Sequence, residues 1–78
     1  MSNDEIGDAV LRTRRLVRKL AKRREELGLS QTVVAARMGT SQSALARLEG
    51  CETDPRISTV ERYALALDAE LGVRVSIS

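Results

Sequence analysis

The chain of 78 residues contains no histidine and a single cysteine, Cys51, and these two shortages exclude more chemistry than anything else in its composition. Without His or a second Cys it cannot assemble a zinc site, a Cys–His dyad or a Ser–His–Asp triad. Serines, threonines and carboxylates alone offer no catalytic mechanism, so the chain is expected to be neither an enzyme nor a holder of metal or cofactor. Cys51 has no internal partner and sits beside Gly50 in a polar turn, which fits a reducing cytoplasm. Phe and Trp are absent and Tyr63 is the one aromatic residue. That argues against stacking platforms for single-stranded nucleic acid. No apolar run approaches the roughly 18 residues that span a bilayer, and the opening MSNDEIGD is acidic where a secretory signal is basic. The expectation is a soluble cytoplasmic protein without membrane contact or small-molecule ligand.

What is present is charge, unevenly spread. Thirteen Lys and Arg stand against 11 Asp and Glu, a net charge of +2, yet residues 12 to 24, RTRRLVRKLAKRR, hold eight bases and no acid. Such a run suits phosphate or an acidic partner protein, and it equally describes a solvated helix face. A single domain of this size buries only about 60 to 65% of its unfolded surface, so association with a second copy is expected.

Hydrophobic periodicity outlines four helices. From Ile6 to Leu27 the positions 6, 10, 13, 17, 20, 24 and 27 form one helical stripe, reading Ile, Val, Thr, Val, Leu, Arg, Leu. Arg24 breaks the apolar rule, and a guanidinium on a buried face requires a carboxylate from elsewhere. Gly28 ends this helix. Ser30 is placed to cap a second, about 31–38, with Val34, Ala35 and Met38 on one side. Gly39 stops it, and Thr40 or Ser41 caps a third, about 41–49, with Leu45 and Leu48 turned inward before Gly50. GCETDPR is loop chemistry. A fourth helix, about 58–71, starts from a capping box between Ser58 and Glu61 and carries Val60, Ala64, Leu67 and Leu71 as its stripe. The tail alternates Val73, Val75 and Ile77 with Arg74, Ser76 and Ser78, a period of two that predicts a strand over about 72–77. A lone strand leaves its backbone unpaired. Pairing with its twin across a dimer axis is the economical solution, a frayed terminus the competing one.

Two short helices joined through a glycine turn can present the second of them to the major groove of DNA. Ala35 is small where the helices cross, Gly39 can adopt the positive φ of the turn, and Leu45 plugs the pair. At residues 28 to 50 the sequence GLSQTVVAARMGTSQSALARLEG resembles the Cro/CI-type helix-turn-helix proteins, the XRE family, with Leu29, Gln31, Ala35, Gly39, Ser41, Leu45 and Glu49 in their expected places. Weaker similarity extends from about Leu20 to Leu71. The resemblance implies an all-α, lambda-repressor-like bundle of four main helices. The C-terminal strand expected from the alternation of the tail, pairing across a dimer, lies outside the shared core, and residues 1–78 are expected to form one DNA-binding domain.

It also implies roles. Gln31 matches the position that binds a DNA phosphate. Gln42, Ser43 and Arg47 match positions of the recognition helix that face base edges, where Gln suits adenine and Arg suits guanine. Thr40 and Arg56 fall where the family touches backbone or minor groove, and Ser41 at the start of the recognition helix is counted with them. Arg24 and Glu49 match a partly buried salt bridge between the first and third helices. Ala44 and Ala46 depart from the pattern, being shorter than the polar residues often found there.

Two functions of different class follow. The first is a dimeric repressor, autoregulatory, reading a near-palindromic operator in double-stranded DNA with half-sites roughly 34 Å apart. The second rests on ERYALALDAELGVRVSIS, which looks like the end of HigA-type antitoxins. It adds a partner, a small RNase-like toxin that the chain would bind and neutralise while repressing its own operon.

Overall fold

The computed structural model describes the backbone of residues 3–52 and 54–71 and the side chains of residues 7–52 and 54–68. Four helices account for almost all of it: α1 (Asn3–Glu26), α2 (Gln31–Met38), α3 (Gln42–Glu49) and α4 (Ile57–Leu71). Among the described residues there is no strand. The expected strand of Val73, Val75 and Ile77 lies outside them.

The helices are built to share one core. Val17 of α1, Val34, Ala35 and Met38 of α2, Leu45 and Leu48 of α3, and Val60, Tyr63, Ala66 and Leu67 of α4 are all buried, with Leu20, Leu27 and Leu29 packed against them. None of the four helices could bury its apolar face alone. At α1 the centre of the stripe, Val17, is fully buried, while Val10 and Thr13 toward the N-terminus are half-buried.

Backbone hydrogen bonds show how three of these helices end. After α1, Leu29 N–H donates to Arg24 O and Gly28 N–H to Glu25 O, with Gly28 at φ +71°. After α2, Thr40 N–H donates to Ala35 O and Gly39 N–H to Ala36 O, with Gly39 at φ +73°. After α3, Glu52 N–H donates to Arg47 O and Cys51 N–H to Leu48 O. This pair of bonds, six residues to one and five to two, is the Schellman closure, which requires a left-handed residue at its centre. In the third case that residue is Cys51, at φ +57°. Gly50, which the sequence offers for the role, stands one position too early, at φ −80°.

The start of α4 corrects the expected capping box. Arg56 O already accepts Val60 N–H at 3.0 Å, so the helix opens at Ile57 and Ser58 is its second residue. A hydroxyl two positions past the N-cap no longer sits where a capping side chain can reach the orphan N–H groups of the first turn. The buried face of α4 is also turned relative to the expected stripe: Tyr63 and Ala66 join Val60 and Leu67 in the core, whereas Ala64 is half-buried.

Candidate nucleic-acid interface

Ser30 and Ser41 begin the two short helices in the same way. Each lies in extended backbone, and its hydroxyl oxygen accepts an N–H three residues on, from Val33 and Ala44 respectively, both at 3.1 Å. Between them only Gly39, Thr40 and Ser41 connect α2 to α3, and the left-handed Gly39 supplies the change of direction. Leu45 and Leu48 hold the inner side of α3. Gln42, Ser43 and Arg47 are exposed, and Ser43 and Arg47, four residues apart, stand one turn from each other on its outer side.

Gln42 is held by a chain of hydrogen bonds that begins in the core. Arg24 donates to both carboxylate oxygens of Glu49, from Nε to Oε2 at 2.8 Å and from Nη2 to Oε1 at 3.0 Å. Its third arm, Nη1, donates to Leu29 O at 2.8 Å. This is the two-pronged Arg–carboxylate geometry that fixes orientation as well as charge. Glu49 also accepts Gln31 Nε2 at 2.9 Å and the Tyr63 hydroxyl. Gln31 Oε1 in turn accepts Gln42 Nε2 at 2.7 Å. All four helices meet at one carboxylate.

The electrostatics follow from those partners. Burial pushes the Glu49 carboxyl up, but hydrogen bonds from Arg24, Tyr63 and Gln31 outweigh it and hold the group below its ordinary value. The hydrogen bond to Glu49 raises Arg24 further against the opposing effect of burial. Burial first, and then the bond to a carboxylate, pushes the Tyr63 phenol above its ordinary range. Glu49 is therefore a charged acceptor for neutral and cationic donors, an arrangement in which every buried polar group is paired.

Two of the other expected contacts share a groove that reaches Leu45 and Leu48. Thr40 and Arg56, both exposed, border one open groove of about 420 Å³ that Ala44, Asp54 and Thr59 also line. Arg14 Nη2 reaches Asp54 Oδ1 at 2.9 Å, tying α1 to the segment that leads to Arg56. The structure thus brings Gln31 and Gln42 into direct contact and leaves Ser43, Arg47, Thr40 and Arg56 free at the surface. Ser41 uses its hydroxyl oxygen within the protein.

Comparison with known proteins bears on this arrangement. The family model described as helix-turn-helix matches residues 20–73. The chain belongs to the Cro/CI-type helix-turn-helix family of DNA-binding regulators. It is 48% identical over 58 residues to Antitoxin HigA1 of two Mycobacterium tuberculosis strains, CDC 1551 / Oshkosh and H37Rv, a match covering 74% of this chain and 39% of each relative. It therefore spans about two fifths of the length of those antitoxins. An uncharacterized HTH-type transcriptional regulator of Haemophilus influenzae is 34% identical over 76 residues, 97% of this chain and 72% of that protein. No solved structure matches significantly.

In this helix-turn-helix chain the residue that sequence reasoning missed is Tyr63. A lone aromatic invites placement in the core, but a buried phenol also needs a hydrogen-bond acceptor. Glu49, already matched with Arg24, was the acceptor within reach. The two amide links, Gln31 to Glu49 and Gln42 to Gln31, had no signal in the spacing of these residues. Among the described residues no group of His, Cys, Asp or Glu has the arrangement of a metal site, and no helix is long and apolar enough to cross a membrane.

Proposed function

We propose that this chain is a sequence-specific transcriptional regulator: a dimeric repressor, residues 1–78 acting as one DNA-binding domain, that reads a near-palindromic operator in the major groove and controls its own promoter. The observation that carries this reading is the outer side of α3, where Gln42, Ser43 and Arg47 are exposed while Leu45 and Leu48 lock the helix from behind. Gln42 is restrained by Gln31, so it enters the groove with little side-chain freedom left to lose. Arg47 brings a guanidinium suited to guanine O6 and N7, and Gln42 an amide suited to adenine. Thr40, Ser41 and Arg56 serve the backbone on either side. Gln31 has both ends of its amide committed to protein, so its contribution is to hold Gln42 and to present the first turn of α2 to a phosphate.

The test is a fluorescence anisotropy titration against the DNA upstream of the chain's own gene and against a scrambled duplex, at two salt concentrations. A preference of roughly a thousandfold for the native DNA, abolished by Gln42→Ala with Arg47→Ala, is expected of an operator reader. Equal and steeply salt-dependent binding to both duplexes would refute sequence-specific reading.

A second reading is supported by the HigA1 relatives: the chain is an antitoxin that neutralises a small RNase-like toxin and represses the shared operon. Expressing the small protein encoded beside it, with and without this chain, tests that reading. Growth arrest relieved by the chain supports it, and arrest unaffected by the chain overturns it.

A further inference from the structure

The basic run of α1, apart from Arg14 at Asp54 and Arg24 at Glu49, is absorbed neither by the core nor by the reading helix. Its residues form two adjacent rows along the helix, each stepping by four, three and four positions: Leu11, Arg15, Arg18, Lys22 and, beside them, Arg12, Leu16, Lys19, Arg23. Each row holds one leucine and three bases. All eight are exposed, Leu11 at 51% and Leu16 at 47%. Arg23 meets Glu26 at 3.6 Å, whereas Arg12, Arg15, Arg18, Lys19 and Lys22 form no ion pair among the described residues. From residue 11 to residue 23 the surface runs for about 18 Å.

Its direction decides what it can meet. Arg24 points at Glu49, at the end of α3. At 3.6 residues per turn, the nine positions from Arg15 to Arg24 make about two and a half turns, so Arg15 is directed away from α3. Lys22, Lys19 and Leu11 are turned nearly as far, and Arg12 and Arg18 by about 120°, whereas Arg23 and Leu16, at about 100° and 80°, form the flank nearer the Arg24 side. A duplex lying along the outer side of α3 is thus on the opposite side of α1 from Arg15, Lys19 and Lys22. The leucines argue in the same direction, because an apolar side chain gains nothing from a phosphate but buries usefully against a protein.

We propose that the outer face of α1 is a docking surface for an acidic protein helix that also carries apolar side chains, and that it is available while α3 is on DNA. Charge complementarity supplies attraction and orientation. Leu11 and Leu16 supply the buried contacts that distinguish docking from general attraction to negative charge. The proposal does not depend on the operator or the antitoxin reading, since the face is defined by its own bases and leucines and is tested without operator or toxin.

The probe is a synthetic amphipathic helical peptide bearing glutamates along one row and leucines along the next, titrated into the isotope-labelled full chain with and without duplex. Amide shifts confined to residues 11–23, and the same affinity in both conditions, are expected. Leu11→Ser with Leu16→Ser should weaken the peptide about tenfold or more, as should Arg15→Gln with Lys22→Gln, with duplex affinity changed less than about threefold. Thermal melts of the four-residue set establish that the variants are folded. Unaltered peptide binding by the leucine variant would overturn the proposal, reducing the surface to diffuse charge. A loss of duplex affinity matching the loss of peptide affinity would reassign α1 to DNA, and tighter binding to phosphatidylglycerol vesicles than to peptide would reassign it to an anionic lipid surface. Failure of the operator experiment leaves the peptide shifts readable, because they need no DNA.

Discussion

Glu49 concentrates the polar energetics of the molecule in one side chain. It accepts from Arg24, Gln31 and Tyr63, and its side chain is 10% exposed. Removing it leaves a buried guanidinium and phenol without their acceptor. Glu49→Ala is expected to cost about 3 kcal/mol, read as a lower denaturation midpoint, and an unchanged midpoint would contradict the hub. The same carboxyl predicts an acid response. Its folded-state pKa lies below the ordinary 4.5, so its stabilisation is present in full above 4.5 and fades as pH falls through the lower folded value. The melting temperature of the wild-type chain should therefore drop toward that of Glu49→Gln below pH 4.5. Tyr63 has the opposite sign. Its folded pKa lies above the ordinary 10.0, so the stability it adds holds below pH 10.0 and declines above it. Tyr63→Phe should flatten that alkaline decline.

At the scale of elements, the three helix ends form a natural comparison. All use the same pair of closing hydrogen bonds, but the left-handed centre is Gly28, Gly39 and then Cys51. An L-residue with a side chain pays a steric cost there that glycine avoids. Cys51→Gly is expected to raise stability by up to about 1 kcal/mol, and a fall in melting temperature would show that the thiol contributes packing that outweighs the relief. Gly39→Ala runs the other way. A Cβ at Gly39 meets nothing within 4 Å, so its penalty of about 1 to 2 kcal/mol is conformational alone. Because Gly39 sets the angle between α2 and α3, operator affinity should fall along with stability.

At the scale of the whole molecule, one reading helix addresses only one half-site. A twofold dimer would place two copies of α3 about 34 Å apart, one turn of DNA. Inserting about five base pairs between half-sites, half a turn, should then abolish high-affinity binding, while about ten should restore part of it. The tail strand of Val73, Val75 and Ile77 is proposed to join the copies. Removing residues 72–78 is expected to halve the mass measured by light scattering, and a truncated chain that stays dimeric would transfer dimerisation to another surface. If the outer face of α1 serves a protein partner, the assembled dimer presents two such faces, both turned away from the duplex.

The four helices, the turn between the central two and the inward residues Val17, Val34, Ala35, Met38, Leu45 and Leu48 were legible in order because they depend on local rules: apolar spacing, a capping serine, a glycine that can turn left-handed. The requirement that Arg24 find a carboxylate was legible too, since an unpaired guanidinium cannot be buried. Which carboxylate it was came from resemblance and not from spacing, because a contact between residues 25 positions apart has no local signature. Tertiary structure alone decided the rest. Packing α4 against α1 and α2 brought the Tyr63 hydroxyl to Glu49 and turned the helix from its expected stripe. The carbonyl of Arg56 opened that helix before Ser58, and the closing bonds of α3 assigned the left-handed position to Cys51 although Gly50 was next to it. Local propensity determines which segments become helices, while the hydrogen bonds and buried charges shared between helices determine how each is rotated and where it stops.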